Sequence, residues 1–176
     1  MIMKTNITYI FFLILLIFTA CNEDQEETVW ISPEECTTIK QLIENNSFLK
    51  EITENKEAFI ELLLIADPSV DMITKSLSKG HLFTMQVKKE VVCAVVVVSD
   101  GVTAEIKNLV THPDHLRKGY ASHMISFIIN YFQGTPEIIV GTGSTGIPER
   151  EFYQLAFYRK CGFVNSHIIK NFFVDN

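Results

Sequence analysis

The stretch 105–132 constrains the fold of this 176-residue chain more than any other part. It runs from Glu105 to Pro113, continues through a short segment that contains Gly119, and ends in the apolar-periodic run 122–132. This pattern predicts a strand, a tight turn and a helix. The turn would then lie at the positive end of the helix, where unpaired backbone N–H groups and the helix dipole favour an anion such as phosphate. The predicted donors are the N–H groups of Arg117, Lys118, Gly119, Tyr120 and Ala121.

The composition excludes two classes of function. The chain carries 15 basic and 21 acidic residues, a net charge of −6, which argues against a nucleic-acid-binding surface. Its four cysteines form no CxxC pair and no Cys/His spacing of a zinc site, so no metal is predicted. With 47% hydrophobic residues the chain is globular and long enough for one well-packed domain. Because the protein as a whole is acidic, its general charge does not explain the basic residues Arg117 and Lys118, which indicates a role specific to this turn.

Residues 1–21 have the layout of a leader. Lys4 precedes the apolar run 7–20, which is shorter than the roughly 20 residues that a membrane span needs. Residues 18–21 resemble the bacterial lipobox, in which the cysteine, here Cys21, carries a lipid. An uncleaved signal anchor is the alternative. Either prediction attaches the protein to the membrane with its body outside the cytoplasm; a non-functional leader would leave it cytoplasmic.

Residues 22–46 are acidic and polar, and we interpret them as a tether with a short helix at about 33–44. A single domain is predicted over 47–176. Its all-apolar segment Val91–Val98 should be a central strand covered on both faces. The predicted fold class is α+β (mixed α/β), a mostly antiparallel sheet flanked by helices. The predicted strands are 48–52, 81–87, 91–98, 102–111, 137–141 and 166–174, and the predicted helices are 56–66, 70–77, 122–132 and 149–160.

Two ordered motifs resemble the GCN5-related N-acetyltransferase (GNAT) family. The family's Gln/Arg-x-x-Gly-x-Gly/Ala turn matches residues 116–121 at Gly119 and Ala121, with Leu116 in place of the usual Gln or Arg. A second signature, near the C-terminus, is matched by Phe157, Tyr158, Lys160, Gly162 and Phe163. The segment 59–73 also looks like the substrate-side helices of bacterial members. The resemblance covers about 48–176.

The resemblance implies a GNAT-like acyl-CoA N-acyltransferase fold and acetyl-CoA as co-substrate, without a metal. It places the pyrophosphate of acetyl-CoA on the amides of Arg117–Ala121, and the Arg117 and Lys118 side chains near the phosphates. The pantetheine arm would lie along the edge of Leu109 and Val110 like an added strand. The acetyl group would pass to a primary amine of a small molecule or peptide by direct attack.

The resemblance also implies catalytic roles. Tyr158 matches the family's general acid, which protonates the CoA thiolate. Glu105 matches the position of a base glutamate that deprotonates the amine through water; a solvated glutamate at the strand end is the alternative. His112, His115 and His123 are predicted to be surface residues, and Cys161 a core thiol instead of a nucleophile. Two cleft acids, Glu105 and Asp67, suggest a cationic amine.

Two features favour a competing function. The sequence after Asn171 is short for the family's last strand, which would expose a sheet edge and favour a homodimer. Acetyl-CoA is cytosolic, whereas the leader predicts a body outside the cytoplasm. The alternative is therefore a catalytically inactive lipoprotein that keeps the GNAT scaffold as a binding or interaction module.

Overall fold

A seven-stranded mixed sheet forms the centre of the computed structural model, which describes residues 2–6, 48–142 and 148–167. The sheet order is β2-β3-β4-β5-β6-β1-β7, and β5 and β6 pair in parallel while the other neighbours are antiparallel. The strands are β1 (Ile2–Asn6), β2 (Phe48–Ile52), β3 (His81–Val87), β4 (Glu90–Ser99), β5 (Thr103–Thr111), β6 (Glu137–Gly141) and β7 (Val164–His167). The helices are α1 (Ile60–Leu63), α2 (Val70–Lys79), α3 (Tyr120–Tyr131) and α4 (Pro148–Lys160). This architecture confirms the predicted fold class.

The apolar strand β4 is covered on both faces, as its composition predicts. Val95 and Val97 pack into the larger apolar cluster, which includes Met124 and Ile128 of α3. Ala94 and Val96 face the smaller cluster, to which α1 and α2 contribute Leu63, Ile73 and Leu77. A strand buried on both faces can be apolar at every position, because neither side meets water.

A β-bulge at Lys107 changes which face of the sheet the residues of β5 occupy. Val96 pairs with Asn108 and Val97 pairs with Ile106, so Lys107 is the extra residue. Before the bulge Ile106 packs into the larger cluster, whereas the even-numbered Val110 after it packs into the smaller one. The bulge therefore turns Asn108 towards α1.

The predicted helix 56–66 is shorter in the structure, whereas the predicted helix 70–77 extends to Lys79. Residues 56–66 form a 3₁₀ turn, Lys56–Phe59, followed by the single-turn α1. Neither piece has a side-chain cap, and Pro68 follows closely, so little favours a long helix here. The next helix, α2, is capped by Ser69, whose Oγ accepts a hydrogen bond from the N–H of Met72 at 3.3 Å.

The amino-terminal residues have a role that the sequence analysis did not predict. Strand β1 lies between β6 and β7 and pairs with β6 from Ile2 to Asn6. Met3 is fully buried in the larger cluster, and Lys4 Nζ lies 3.0 Å from a carboxylate oxygen of Glu137. These residues belong to the predicted leader, so a leader removed at Cys21 would remove a strand of the sheet.

The other predictions for the two ends of the chain fall largely outside the described residues. This group comprises the apolar run 7–20, the tether 22–46 with its predicted short helix, and residues 168–176. Among the described helices, none is long and apolar enough to span a membrane. The leader, the tether and the domain boundaries stay predictions.

Candidate active site

The site begins where β5 and β6 separate. Their parallel pairing starts at Thr103 and Glu137 and ends at Ile106 and Val140. The bulge at Lys107 follows directly, and β6 itself ends one residue after Val140. The rest of β5 therefore has no pairing with β6, which leaves an open strand edge of the kind that can pair with an extended ligand.

A cleft opens along this edge and receives residues from four parts of the fold. The loop between α1 and α2 and the bulged part of β5 form one side. The end of β6 and one face of α4 form the other. The lining residues are Ala66, Asp67, Pro68, Ile106, Lys107, Asn108, Leu109, Val140, Gly141, Thr142, Gln154 and Tyr158.

The predicted anion-binding turn lies at the amino-terminal end of α3. Gly119 is the N-cap residue with φ = 80°, and Arg117 has φ = 60°, so both residues adopt the left-handed conformation. The helix starts at Tyr120, two residues earlier than predicted. The first N–H groups of a helix lack intrahelical partners, and residues 116–119 are exposed to solvent. The geometry therefore suits an anion at the predicted place.

Tyr158 is held on α4 by aromatic packing. Its ring meets those of Phe157 and Phe163 edge to face, with centroids 5.1 Å and 5.6 Å away. Burial, with a smaller contribution from Cys161, raises the pKa of the Tyr158 phenol. The phenol therefore remains protonated at neutral pH, as a proton donor requires.

Glu105 lies beside the cleft without lining it. Its Oε1 is 3.0 Å from the Nζ of Lys107, and Lys107 does line the cleft. The structure thus pairs the predicted base with a cation. Asp67, the second predicted cleft acid, lines the cleft and accepts a hydrogen bond from the N–H of Ser69 at 2.9 Å.

The two predicted pantetheine contacts differ in exposure. Leu109 is half-buried and lines the cleft. Val110 is only 3% exposed, and its side chain packs into the smaller apolar cluster. Any contact that Val110 makes with a ligand in the cleft would therefore come from its backbone.

The sequence analysis missed Asn108. This side chain is 7% exposed and lines the cleft, and its Nδ2 donates a hydrogen bond to the carbonyl of Leu63 at 3.1 Å. Its Oδ1 is buried and has no partner among the described residues. Since buried polar atoms are usually hydrogen-bonded, this oxygen is suited to a ligand donor. Nothing in the local sequence marks Asn108, because Lys107 beside it is also polar and only the bulge decides which face Asn108 occupies.

The three histidines near the turn do not line the cleft. His123 is half-buried on α3, and burial lowers the pKa of its imidazole. His112 and His115 lie on the loop before the turn, beside Glu90 of β4. The fold therefore brings Glu90 next to two histidines that lie far from it in sequence.

Cys161 follows α4, and burial raises the pKa of its thiol to about 11, although a hydrogen bond with Ser122 opposes the shift. Because only the thiolate reacts, we expect slow alkylation of Cys161 by iodoacetamide at pH 7 and a rate that rises about tenfold per pH unit. Peptide mass spectrometry across pH 7–10 would measure it. Fast alkylation at pH 7 that does not change with pH would contradict the assignment of an inert thiol.

This combination of fold and site defines an acyl-CoA-dependent acetyltransferase scaffold. The model of the acetyltransferase (GNAT) domain matches residues 78–165, and the chain belongs to the GNAT family. The matched region extends from the end of α2 into β7 and contains both motifs and most of the cleft. The family assignment that the two motifs predicted is confirmed.

Similar proteins support this assignment. The chain is 30% identical to the uncharacterized N-acetyltransferase YvbK of Bacillus subtilis over 124 residues, which cover 69% of this chain and 77% of YvbK. A GNAT acetyltransferase of Elizabethkingia anophelis, solved with acetyl-CoA bound, is 29% identical with a TM-score of 0.67, over 75% of this chain and 85% of the other. A Bacillus subtilis acetyltransferase in complex with CoA is 27% identical with a TM-score of 0.62, over 73% and 84%.

Proposed function

We propose that this protein is an N-acetyltransferase that transfers the acetyl group of acetyl-CoA directly to a primary amine of a small molecule or peptide. The observation that carries the proposal is the open edge of β5, which lines the cleft that also holds Tyr158 and leads through residues 112–118 to the turn at Gly119. One extended thioester substrate can use all three features together. The edge accepts its amide groups, the turn accepts its phosphates, and the cleft accepts its acyl end.

The residues present fit acetyl-CoA. The pyrophosphate would meet the amides of residues 117–121, and the exposed side chains of Arg117 and Lys118 would add positive charge. The pantetheine amides would pair with the backbone of Leu109 and Val110. The two similar structures that contain acetyl-CoA or CoA support the choice of acetyl-CoA as the co-substrate. Leu116 does not weaken it, because the backbone N–H groups provide most of the contact.

The chemistry follows from the position of Tyr158. The amine nitrogen attacks the thioester carbonyl carbon, the C–S bond breaks, and the sulfur leaves with the bonding electron pair. The Tyr158 phenol donates its proton to that sulfur and is reprotonated from solvent. The nitrogen loses a proton to water or to the Glu105 carboxylate, whose pairing with Lys107 places it next to the cleft. Holding the two reactants together in the cleft supplies the proximity part of catalysis.

The acceptor side of the cleft favours a cationic amine. Asp67 provides a carboxylate, and the unpartnered Oδ1 of Asn108 provides a hydrogen-bond acceptor. Both groups attract an ammonium ion before it is deprotonated, and neither attracts a carboxylate. We therefore expect amines with few negative charges to be the better acceptors.

The decisive experiment measures binding and turnover with the full chain. We expect acetyl-CoA to raise the unfolding temperature, and free CoA to accumulate when a panel of primary amines is added. Absence of both effects would refute the proposal. A thermal shift without CoA release from any amine would favour the non-catalytic scaffold.

The turn can be tested by Gly119→Val. A β-branched residue is strained at φ = 80°, so the turn should rearrange and the affinity for acetyl-CoA should fall about tenfold or more. Isothermal titration calorimetry would measure the change. Gly101→Val is the matched control, since Gly101 has φ = 88° in the β4–β5 turn, away from the cleft. Equal affinity losses in the two variants would remove the specific role of Gly119.

A further inference from the structure

Three side chains with metal-binding atoms meet outside the cleft. Glu90 begins β4, His112 follows β5, and His115 ends the 3₁₀ turn Pro113–His115. One ligand atom from each lies within 4.8 Å of the other two. The shortest distance is 3.1 Å, between Nε2 of His115 and Oε2 of Glu90.

The backbone holds this arrangement in place. The N–H of His112 donates to the carbonyl of Val92 at 2.9 Å, which ties the loop to β4. The N–H of His115 donates to the carbonyl of His112 at 2.9 Å, and the two imidazole centroids lie 5.8 Å apart. The ring of His115 also contacts the buried Tyr120 edge to face. The two histidines are therefore positioned together without a bound ion.

We propose that Glu90, His112 and His115 form a site for a divalent transition-metal ion of the zinc class. Two imidazoles with one carboxylate are ligands that Zn²⁺ accepts, whereas Mg²⁺ and Ca²⁺ prefer oxygen alone. Water would complete the coordination.

The distances require only small side-chain movements. Bonds of ~2.0–2.1 Å in a tetrahedral site separate the ligand atoms by about 3.4 Å. Glu90 and His115 are already this close, and the other ligand atoms, which lie within 4.8 Å, must close by at most about 1.4 Å. Glu90 is exposed and attached next to the turn Lys88–Lys89, which leaves its side chain free to adjust. The ion would replace the contact between the Glu90 carboxylate and the His115 imidazole.

The sequence predicts no metal, because its cysteines and histidines show no zinc-site spacing. Glu90 lies far from the histidines in sequence and meets them only through the pairing of β4 with β5. A bound ion would cross-link the turn between β3 and β4 to the loop before α3. The metal-site proposal does not depend on the proposed acetyltransferase function, because Zn²⁺ binding is measured without acetyl-CoA.

The test titrates Zn²⁺ into the full chain after treatment with a chelator, using calorimetry and equilibrium dialysis. We expect one equivalent to bind, and the double variant His112→Asn/His115→Asn to lose at least about 10- to 100-fold in affinity. Glu90→Gln should weaken binding in the same direction. The Co²⁺-loaded protein should show absorption typical of nitrogen and oxygen ligands, without thiolate bands.

The matched control is His81→Asn. His81 also pairs with a carboxylate, since its Nδ1 lies 2.6 Å from Glu51, but it belongs to no group of three metal-binding side chains among the described residues. Its Zn²⁺ affinity should equal that of the unmodified chain. The proposal is overturned if the double variant keeps the original affinity, if His81→Asn loses as much, or if thiolate bands dominate the Co²⁺ spectrum. If the double variant does not fold, the Zn²⁺ affinity of Glu90→Gln, which changes an exposed side chain, is compared with that of the unmodified chain instead.

Discussion

Tyr158→Phe is expected to lower kcat by about 10²- to 10⁴-fold, the usual contribution of a positioned proton donor. The affinity for acetyl-CoA should change by less than about twofold, because the hydroxyl group acts on the leaving sulfur instead of holding the substrate. The packing of the ring against Phe157 and Phe163 is retained in phenylalanine. Steady-state kinetics, together with calorimetric titration of acetyl-CoA, would separate the two effects.

The control is Tyr153→Phe on the same helix, at a side chain that is 73% exposed and does not line the cleft. It should leave kcat nearly unchanged. The pH profile adds a second criterion. The pKa of Tyr158 is raised above the ordinary value of ~10, so the proton donor is present at neutral pH and is lost only in strong alkali. A kcat that falls between pH 7 and 9 in the unmodified enzyme, but not in Tyr158→Phe, would contradict the raised pKa of Tyr158. An unchanged kcat in Tyr158→Phe would contradict its role as proton donor.

Met3→Ala is expected to lower the free energy of unfolding by about 2–5 kcal/mol, the usual cost of truncating a large buried side chain. Met3 is 0% exposed and packs into the larger apolar cluster. Removal of residues 1–20 should cost more, because β6 and β7 would also lose the strand that lies between them. Urea denaturation followed by circular dichroism would measure both changes.

Lys4→Ala is the neighbouring control for Met3→Ala. The ion pair between Lys4 and Glu137 is exposed, so its loss should cost only about 0–1 kcal/mol. If Met3→Ala and the shortened chain are as stable as the full chain, residues 2–6 are not a structural strand. That result would favour a leader that is cleaved at Cys21.

The same measurements bear on the location of the protein. Cleavage before Cys21 and a complete seven-stranded sheet exclude one another within one molecule, because cleavage removes β1. An uncleaved leader keeps β1, but if residues 7–20 spanned the membrane, β1 and the strands that it pairs with would lie on opposite sides of it. Membrane attachment and the homodimer stay predictions.

The order of elements from Phe48 onward, the glycine turn at Gly119 and the place of Tyr158 on the last helix were all predictable from the sequence. These features depend on local periodicity, on turn chemistry and on short motifs, all of which are written within a few consecutive residues. The all-apolar β4 was predictable for the same reason. Its composition alone requires that both faces be covered.

Which residues distant in sequence meet in the fold is seen only in the tertiary structure. The bulge at Lys107 turned Asn108 into the cleft, and the pairing of β4 with β5 brought Glu90 to the two histidines. The insertion of residues 2–6 between β6 and β7 is the clearest case, since an apolar, singly charged start also fits a leader. Strand pairing depends on partners far along the chain, and local patterns do not specify those partners.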